Sequence, residues 1–394
     1  MVKLINGPVN VIRLEGEIFG IKKVLYVFCD MHIDINNQTQ CESWISQDFT
    51  SFLAHEFSKI DKNKSIDFFF ETWESMLKTR HYPTRDKYIE ETSKFFNKMI
   101  RFDKDKKNIG TEFGNNVRFH YIDIRDYFHK NIKNMLYEID NIINNEKSYL
   151  VSKDVKYIID LTNNLLLEIA DIIHLISDPK NESIKPTNNY DKNKMIIVMK
   201  KLNYNFNHSE TKKGIQPLLD NIINKLKEIS TNLIDFNKLL SEYEIYIKKF
   251  NRDGDLYSKL NITKSNEIIY TVDYNVANKY LYDIKEKFDI FDKLILFTFA
   301  KIVDLYFLRR FIDKDYITTG ISYTGIFHSV NYIHTLVRYF NMKITNASYI
   351  KDPIDKVNKE LLNYDIINKD VQLFFYPPKL IQCSDLSSFP DNFN

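Results

Sequence analysis

What this chain has little of sets the first limits on what it does. Its three cysteines, Cys29, Cys41 and Cys383, are an odd number without CxxC or CxxxC spacing. Neither a disulfide framework nor a structural zinc site can be read from them, and a reducing cytosol is the expected compartment. Glycine and proline are scarce, at nine each in 394 residues, and no P-loop, GxGxxG or GxSxG occurs, so nucleotide-dependent and serine-hydrolase classes have no support. The formal net charge of +2 supplies no field to attract a polyanion. The lysines belong to a general enrichment in Ile, Asn, Lys, Tyr and Phe of the kind an AT-rich genome produces, and no nucleic-acid partner is expected. The N-terminal MVKLINGPVNVIRLEG has no apolar segment of signal-peptide type, and nowhere is there an apolar run long enough to cross a bilayer. The most hydrophobic helix candidate, 291–311, is interrupted by Lys293, Lys301, Asp304, Arg309 and Arg310, and is read as a core helix.

What is present is material for a large core, with 44% hydrophobic and 14% aromatic residues. Three short segments rich in β-branched and aromatic residues read as strands covered on both faces: 23–32 (KVLYVFCDMH), 66–71 (IDFFFE) and 117–124 (VRFHYIDI). Helical patterns at 43–60 and 84–102 lie between them, an alternation that predicts an α/β fold with a mostly parallel central sheet flanked by helices. An earlier strand, 10–16, is expected to pair with the first through the turn around Gly16 and Gly20. From 126 to 256 the pattern becomes long amphipathic helices, as at 157–176 and 215–247, which predicts a large helical insertion. Its apolar spacing fits coiled-coil contacts or an intramolecular bundle. The α/β core then resumes over 257–394, with strands expected at 267–274 and in 318–330, a short strand at 342–348, and a tail read as a strand followed by an irregular strap. The first part of the core spans 1–125.

Ligands of an open parallel sheet bind beyond the carboxyl ends of its strands, where loops and helix N-termini converge. Each predicted strand here ends in charge. Asp30 and His32 close the first, Glu71 the second, Asp123 and Arg125 the third, and His328 follows Gly325 at the start of a helix. Each residue also has a structural reading. Asp30 fits a cap, Glu71 fits pairing with Arg80 or Arg125, and His55, His81, His120, His129, His174, His208 and His334 are read as scaffold. At a helix N-terminus His328 is expected in its neutral, metal-binding or proton-accepting form.

The order Cys29-Asp30-Met31-His32, then a strand ending at Glu71, then Gly325-Ile326-Phe327-His328 with Leu336 and Phe340 following, resembles the superfamily of Tiki metalloproteases, TraB proteins, ChaN-like haem-binding proteins and erythromycin esterase-like enzymes. Cys29 stands where the first glycine of that family's motif is usual. The composition, the HYIDIRD segment and the QCSDLSSFP tail are similar to proteins of large DNA viruses. The resemblance implies a metal-dependent hydrolase-like function. His32, Glu71 and His328 would then hold a divalent ion such as zinc, manganese or cobalt, and Asp30 or Asp123 would orient a ligand imidazole or act as general base. Arg125 and Arg309 would hold an anionic group or the developing oxyanion. The substrate would be a small molecule or peptide.

Two other chemistries are weighed against this one. Asp30 and His32 satisfy the Asp-x-His opening of calcineurin-like metallophosphoesterases, but the Gly-Asp-x-x-Asp and Gly-Asn-His that this family needs are absent. Cys29 as a nucleophile would point away from Asp30, since neighbours on a strand alternate faces. The alternative outside catalysis is a virion or host-interaction protein on the same scaffold, with the helical insertion as its protein-contact surface.

Overall fold

The computed structural model describes residues 3–61, 63–74, 86–102, 108–112, 116–145, 149–181, 183–250, 274–364 and 369–393. They form two compact units, one of Met1–Ile124, Phe206–Pro217 and Val303–Asn394, the other of Arg125–Asn205 and Leu218–Ile302. Residues 274–302, which the sequence reading assigns to the second part of the core, cluster with the helical unit. The boundary expected at 256 lies outside the described residues.

The strands of the first unit are β1 (Leu4–Asn6), β2 (Asn10–Ile18), β3 (Ile21–Asp30), β4 (Gln47–Asp48), β5 (Ile66–Trp73), β6 (Ile100–Phe102), β7 (Asn108–Thr111), β8 (Val117–Asp123), β9 (Thr319–Gly325), β10 (Lys343–Ala347) and β11 (Cys383–Asp385). Six of them form the central sheet, in the order β10-β2-β3-β9-β5-β8. The four from β3 to β8 are mutually parallel, as expected, while β2 and β10 run antiparallel at one side. The β2–β3 hairpin turns through Phe19 and Gly20, both with positive φ, which suits the right-handed twist of the two strands. β9, from late in the chain, lies between β3 and β5 and sets Gly325 opposite Asp30.

Helices cover both faces: α1 (Phe49–Ser58) and α2 (Lys87–Met99) on one, the end of α7 (Tyr274–Asp313) and α8 (Ile326–Phe340) on the other. Alternation along β5 shows how the sequence serves both layers. Phe68 and Phe70 pack with Phe96 of α2 and Phe119 of β8, whereas Phe69 meets Phe307 of α7 edge to face. Glu71 therefore belongs to the α7 and α8 side, and Asp30, in phase with Phe28, to the α1 and α2 side.

In the second unit α3 (His129–Asn144), α4 (Ser152–Ser177) and α5 (Tyr190–Leu202) pack with most of α6 (Ser209–Phe250) and the first part of α7. Along α6, residues 219, 222, 226, 229, 233, 236, 240, 243 and 247 are all buried, an alternation of three and four that gives a coiled-coil seam. The partner is in the same chain: Phe236 meets Phe291, Tyr243 meets Tyr280, and Lys301 donates to Asn221, so α6 and α7 run antiparallel.

Several expectations are corrected. Residues 43–48 stay out of the helix, which begins at Phe49. The tail segment read as a strand forms a short helix (Lys369–Leu373), and only β11 is a strand there. The strand expected at 267–274 lies, but for its last residue, outside the described residues, and Tyr274 opens α7. Cys41 and Cys383 form a disulfide across 342 positions of sequence, a pairing that local spacing could not signal because β1, β4 and β11 bring its halves together.

Candidate active site

The site lies at the carboxyl edge of the sheet, where β3, β9 and β5 end side by side. Asp30 closes β3 and is 0% exposed, and neither of its carboxylate oxygens accepts a hydrogen bond of good geometry, although His32, the Met31 N–H and the Tyr323 hydroxyl approach it. Its nearest cation is His32, with Nδ1 at 3.4 Å. Burial pushes the Asp30 carboxyl up to about 6, His32 working against the rise and Asp86 adding to it. The capping alternative goes to Asp34, whose side chain accepts the Asn36 N–H.

His32, with a side chain 46% exposed, stands between three carboxylates. Its Nδ1 lies 3.1 Å from Asp86 Oδ2, and its Nε2 lies 3.4 Å from Glu71 Oε2. Partial burial disfavours its charge, but Glu71, Asp30 and Asp86 together hold it well above the usual imidazole range. Asp86 is anchored as the N-cap of α2. Its Oδ1 accepts the Tyr88 and Ile89 N–H groups and the Gln38 side-chain amide, which leaves Oδ2 facing His32.

Glu71, on the other side of the sheet edge, accepts the Gly325 N–H at 2.8 Å through Oε2, while Oε1 lies 3.3 Å from His328 Nε2. Burial opposes its ionisation, yet His328 and His32 hold it well below the usual carboxylate range. His328 donates from Nδ1 to Asp304 Oδ1 at 2.5 Å, and Asn331 donates to the other oxygen of Asp304. The neutral His328 expected from the helix dipole is corrected. Burial works in the same direction as the dipole, but Glu71 and Asp304 outweigh both and raise the imidazole to about 10. Asp304 takes the Nδ1–H of this charged imidazole, so Nε2–H is the group that faces the site and Glu71.

The geometry is thus a chain of alternating acids and bases, Asp304, His328, Glu71, His32, then Asp86 and Asp30. His32, Glu71 and His328 are brought together, with Glu71 bridging the two imidazoles. Among the described residues the group with one donor atom each, all within 4.8 Å of one another, is instead Asp30, His32 and Asp86. Ligand atoms about 2.1 Å from a tetrahedral ion lie about 3.4 Å apart. The spacings of 3.1 and 3.4 Å from His32 Nδ1 to the two aspartates match that. A cation there would also give the enclosed Asp30 carboxylate the close partner it lacks. Glu71 at Nε2 would then orient the ligand imidazole from behind.

Of the remaining predicted residues, Asp123 and Arg309 belong to the same unit as this cluster and Arg125 to the other. Asp123 ends β8 opposite Trp73, two positions beyond Glu71 on the neighbouring strand. Arg125 opens the helical unit. The Arg309 guanidinium lies over the Phe206 ring at 4.7 Å, and five residues along a helix from Asp304 it points to a different side. Arg80 and His81 lie outside the described residues. Cys29 is enclosed and its thiol is pushed up to about 12 by burial, which leaves no thiolate for nucleophilic attack. His120 is held by Asp67 at 2.6 Å and stacks on Phe69, as scaffold.

Sequence reasoning missed Asp86 and Asp304. Asp304 carried a signal, an acid inside the apolar run FTFAKIVDLYFL, where burial demands a partner. Asp86 carried no signal beyond its place at the start of the helical stretch 84–102.

Gly325 answers to the site rather than to its own backbone. A Cβ there would sit 3.0 Å from His32 Nε2 and 3.5 Å from Glu71 Oε2. Gly325→Ala is therefore expected to leave the circular dichroism spectrum unchanged while displacing His32, read as a shifted imidazole resonance and a loss of ion binding of about 10-fold or more. An unchanged resonance would mean that His32 is not packed against this turn.

The model of a family of unknown function, DUF5847, matches residues 3–394. The chain is 34% identical to the uncharacterised protein R706 of Acanthamoeba polyphaga mimivirus, over 99% of this chain and 97% of that one. It is 31% identical to R161 of the same virus, over 99% and 98%. These are viral proteins of mimivirus type, similar to this chain along its whole length. No solved structure matches it.

Proposed function

We propose of this chain, which belongs to the DUF5847 family, that it is a metal-dependent hydrolase-like protein acting at the carboxyl edge of its sheet. The observation that carries the reading is the Asp30 carboxylate, fully enclosed and without a hydrogen bond of good geometry beside His32 and Asp86. An enclosed carboxylate so poorly satisfied costs the fold stability, and a bound cation would offset that cost. Asp30, His32 and Asp86 would hold a divalent ion of the zinc, manganese or cobalt kind. Such an ion supplies an activated water and polarises a carbonyl or phosphoryl oxygen.

The rest of the chemistry falls to the other arm. Glu71 is ionised, and Gly325 N–H fixes one of its oxygens while the other faces His328. In this reading His328, already protonated, gives its Nε2 proton to the leaving group while Asp304 holds its orientation through Nδ1, and the proton that Glu71 takes from water restores it. The carboxylates of this rim repel anions, so a neutral ester or amide of a small molecule or peptide suits the site better than a phosphoester. Of the two compartments, host cytoplasm and virion, the Cys41–Cys383 disulfide favours the virion, since cytosolic thiols stay reduced.

Elemental analysis of the purified protein tests this, on the wild type and on His32→Ala, without added metal. Near-stoichiometric metal in the first and none in the second is the expected result, followed by a screen of esters, peptides and phosphoesters with that ion. No metal as purified, and none bound on titration with zinc, manganese or cobalt, would sink the reading and leave a non-catalytic scaffold.

A further inference from the structure

The loop from Met31 to Cys41 carries His32, and little apolar packing holds it. Most of its residues from His32 to Gln40 are exposed or half-buried polar groups, and Cys41 is where it becomes buried. Gln38 reaches Ile33 and Asp86, and Tyr88 donates to the Thr39 carbonyl. The Lys87 N–H is donated to Gln38, His32 faces Asp86, and the Cys41 N–H is donated to Asn6. Further ties run to two adjacent residues of the C-terminal strap. Gln382 accepts the Thr39 N–H with its side chain, donates its own N–H to Thr39 Oγ1, and directs its amide to the Met31 carbonyl at 3.4 Å. Next to it, Cys383 is bonded to Cys41.

The strap has anchors of its own. β11 pairs with β1, Ser384 donates to the Pro8 carbonyl, and Leu386, Phe389 and Phe393 are buried in the core. Breaking the disulfide therefore leaves the strap seated and removes the loop's one covalent tie, so that hydrogen bonds among polar, mostly exposed residues are what still hold it. Cys383 is half-buried, within reach of a reductant.

We propose that the Cys41–Cys383 disulfide is a redox-operated clasp on the His32 loop, closed in the oxidised protein and opened by a dithiol reductant. The proposal rests on the cation-site reading for its consequence, though not for the loop motion itself. One dithiol attacks the disulfide through a mixed disulfide, its two electrons and two protons yield the Cys41 and Cys383 thiols, and the reductant leaves as its own disulfide. The open loop lets His32 leave Asp30 and Asp86, and the ion loses its nitrogen ligand. Since cytosolic thiols stay reduced and disulfides persist in oxidising surroundings, the clasp ties the site to the compartment.

The test compares the full chain oxidised and after reduction with a phosphine, which does not compete for metal as a dithiol does. Amide hydrogen exchange is followed over 31–41 and over β3 and β9, alongside Mn2+ titration. The expected result on reduction is exchange at least 10-fold faster in the loop, unchanged exchange in β3 and β9, and Mn2+ affinity at least 10-fold weaker, all reversed on reoxidation. Cys41→Ser should show the reduced behaviour under both conditions, and Gln382→Ala should weaken the oxidised state part of the way. Unchanged loop exchange, or exchange that rises equally in β3 and β9, would overturn the clasp. Loop exchange that responds in a protein binding no Mn2+ would uphold the clasp and remove the cation reading. Mn2+ bound equally in both states would uphold the cation reading and overturn the clasp's control of it.

Discussion

Asp30→Asn is expected to stabilise the metal-free protein and abolish its ion binding. At pH 7 the enclosed carboxylate is ionised without a hydrogen bond of good geometry, and its ordinary value of 3.8 has moved up to about 6. A group whose value is raised on folding opposes the folded state increasingly as pH climbs through that value. The neutral amide removes this penalty, less the lost attraction of His32, and unfolding in a chelator should require about 1–2 kcal/mol more at pH 7. At about pH 4 most of the difference should vanish, because the wild-type group is then protonated in the folded state and about half protonated in the unfolded one. With divalent ion at about 100 times its dissociation constant the order reverses, the wild type gaining about 2.7 kcal/mol that the variant cannot. Denaturant midpoints with chelator and with ion, at pH 4 and pH 7, contain the whole comparison. A variant that loses stability in chelator and still binds the ion would show that Asp30 serves only as a counter-charge to His32.

His328→Ala carries the second large effect. It leaves Glu71 and Asp304 enclosed without their shared cation, and breaking a buried pair by removing one partner costs about 3–5 kcal/mol. Hydrolysis, once a substrate is found, should fall about 10²–10⁴-fold. The pH dependence separates the two roles. His328 has a folded-state value of about 10 against an ordinary 6.5, so the stability it lends is complete below about pH 6.5 and lost as pH rises through 10. His32 is raised in the same direction, so the wild type should lose thermal stability steadily over that interval. His328→Gln should keep only the His32 part of the slope. Glu71, held low by the same imidazoles, provides the acid limb, its stabilisation present above 4.5 and lost as pH falls. A His328→Gln slope equal to that of the wild type would mean that His328 is neutral after all, as the helix dipole alone would have it.

Much of this architecture is written locally. The runs 24–30, 66–70 and 117–122 announce strands because their side chains must be apolar on both faces of a covered sheet, and the three-four spacing along α6 announces its seam. The positions of Asp30, His32, Glu71 and His328 at the ends of those strands were legible for the same reason. A sheet buried on both sides has its carboxyl edge as the natural place for charge.

Other features waited for the tertiary structure. Whether β9 would enter between β3 and β5 depends on pairing across some 300 residues, which no local period encodes, yet that insertion sets Gly325 against His32 and puts His328 within reach of Glu71. The charge of His328 depended on Asp304, which arrives from a helix 24 positions earlier, and not on its own helix end. Asp86 and the Cys41–Cys383 bond follow the same pattern. The sequence by itself determined which segments are strands and helices and which residues end them, since backbone hydrogen bonding and side-chain periodicity act over a few residues. Only the folded chain decided which of those ends meet, because burial and charge act between groups that are close in space, however far apart they stand in sequence.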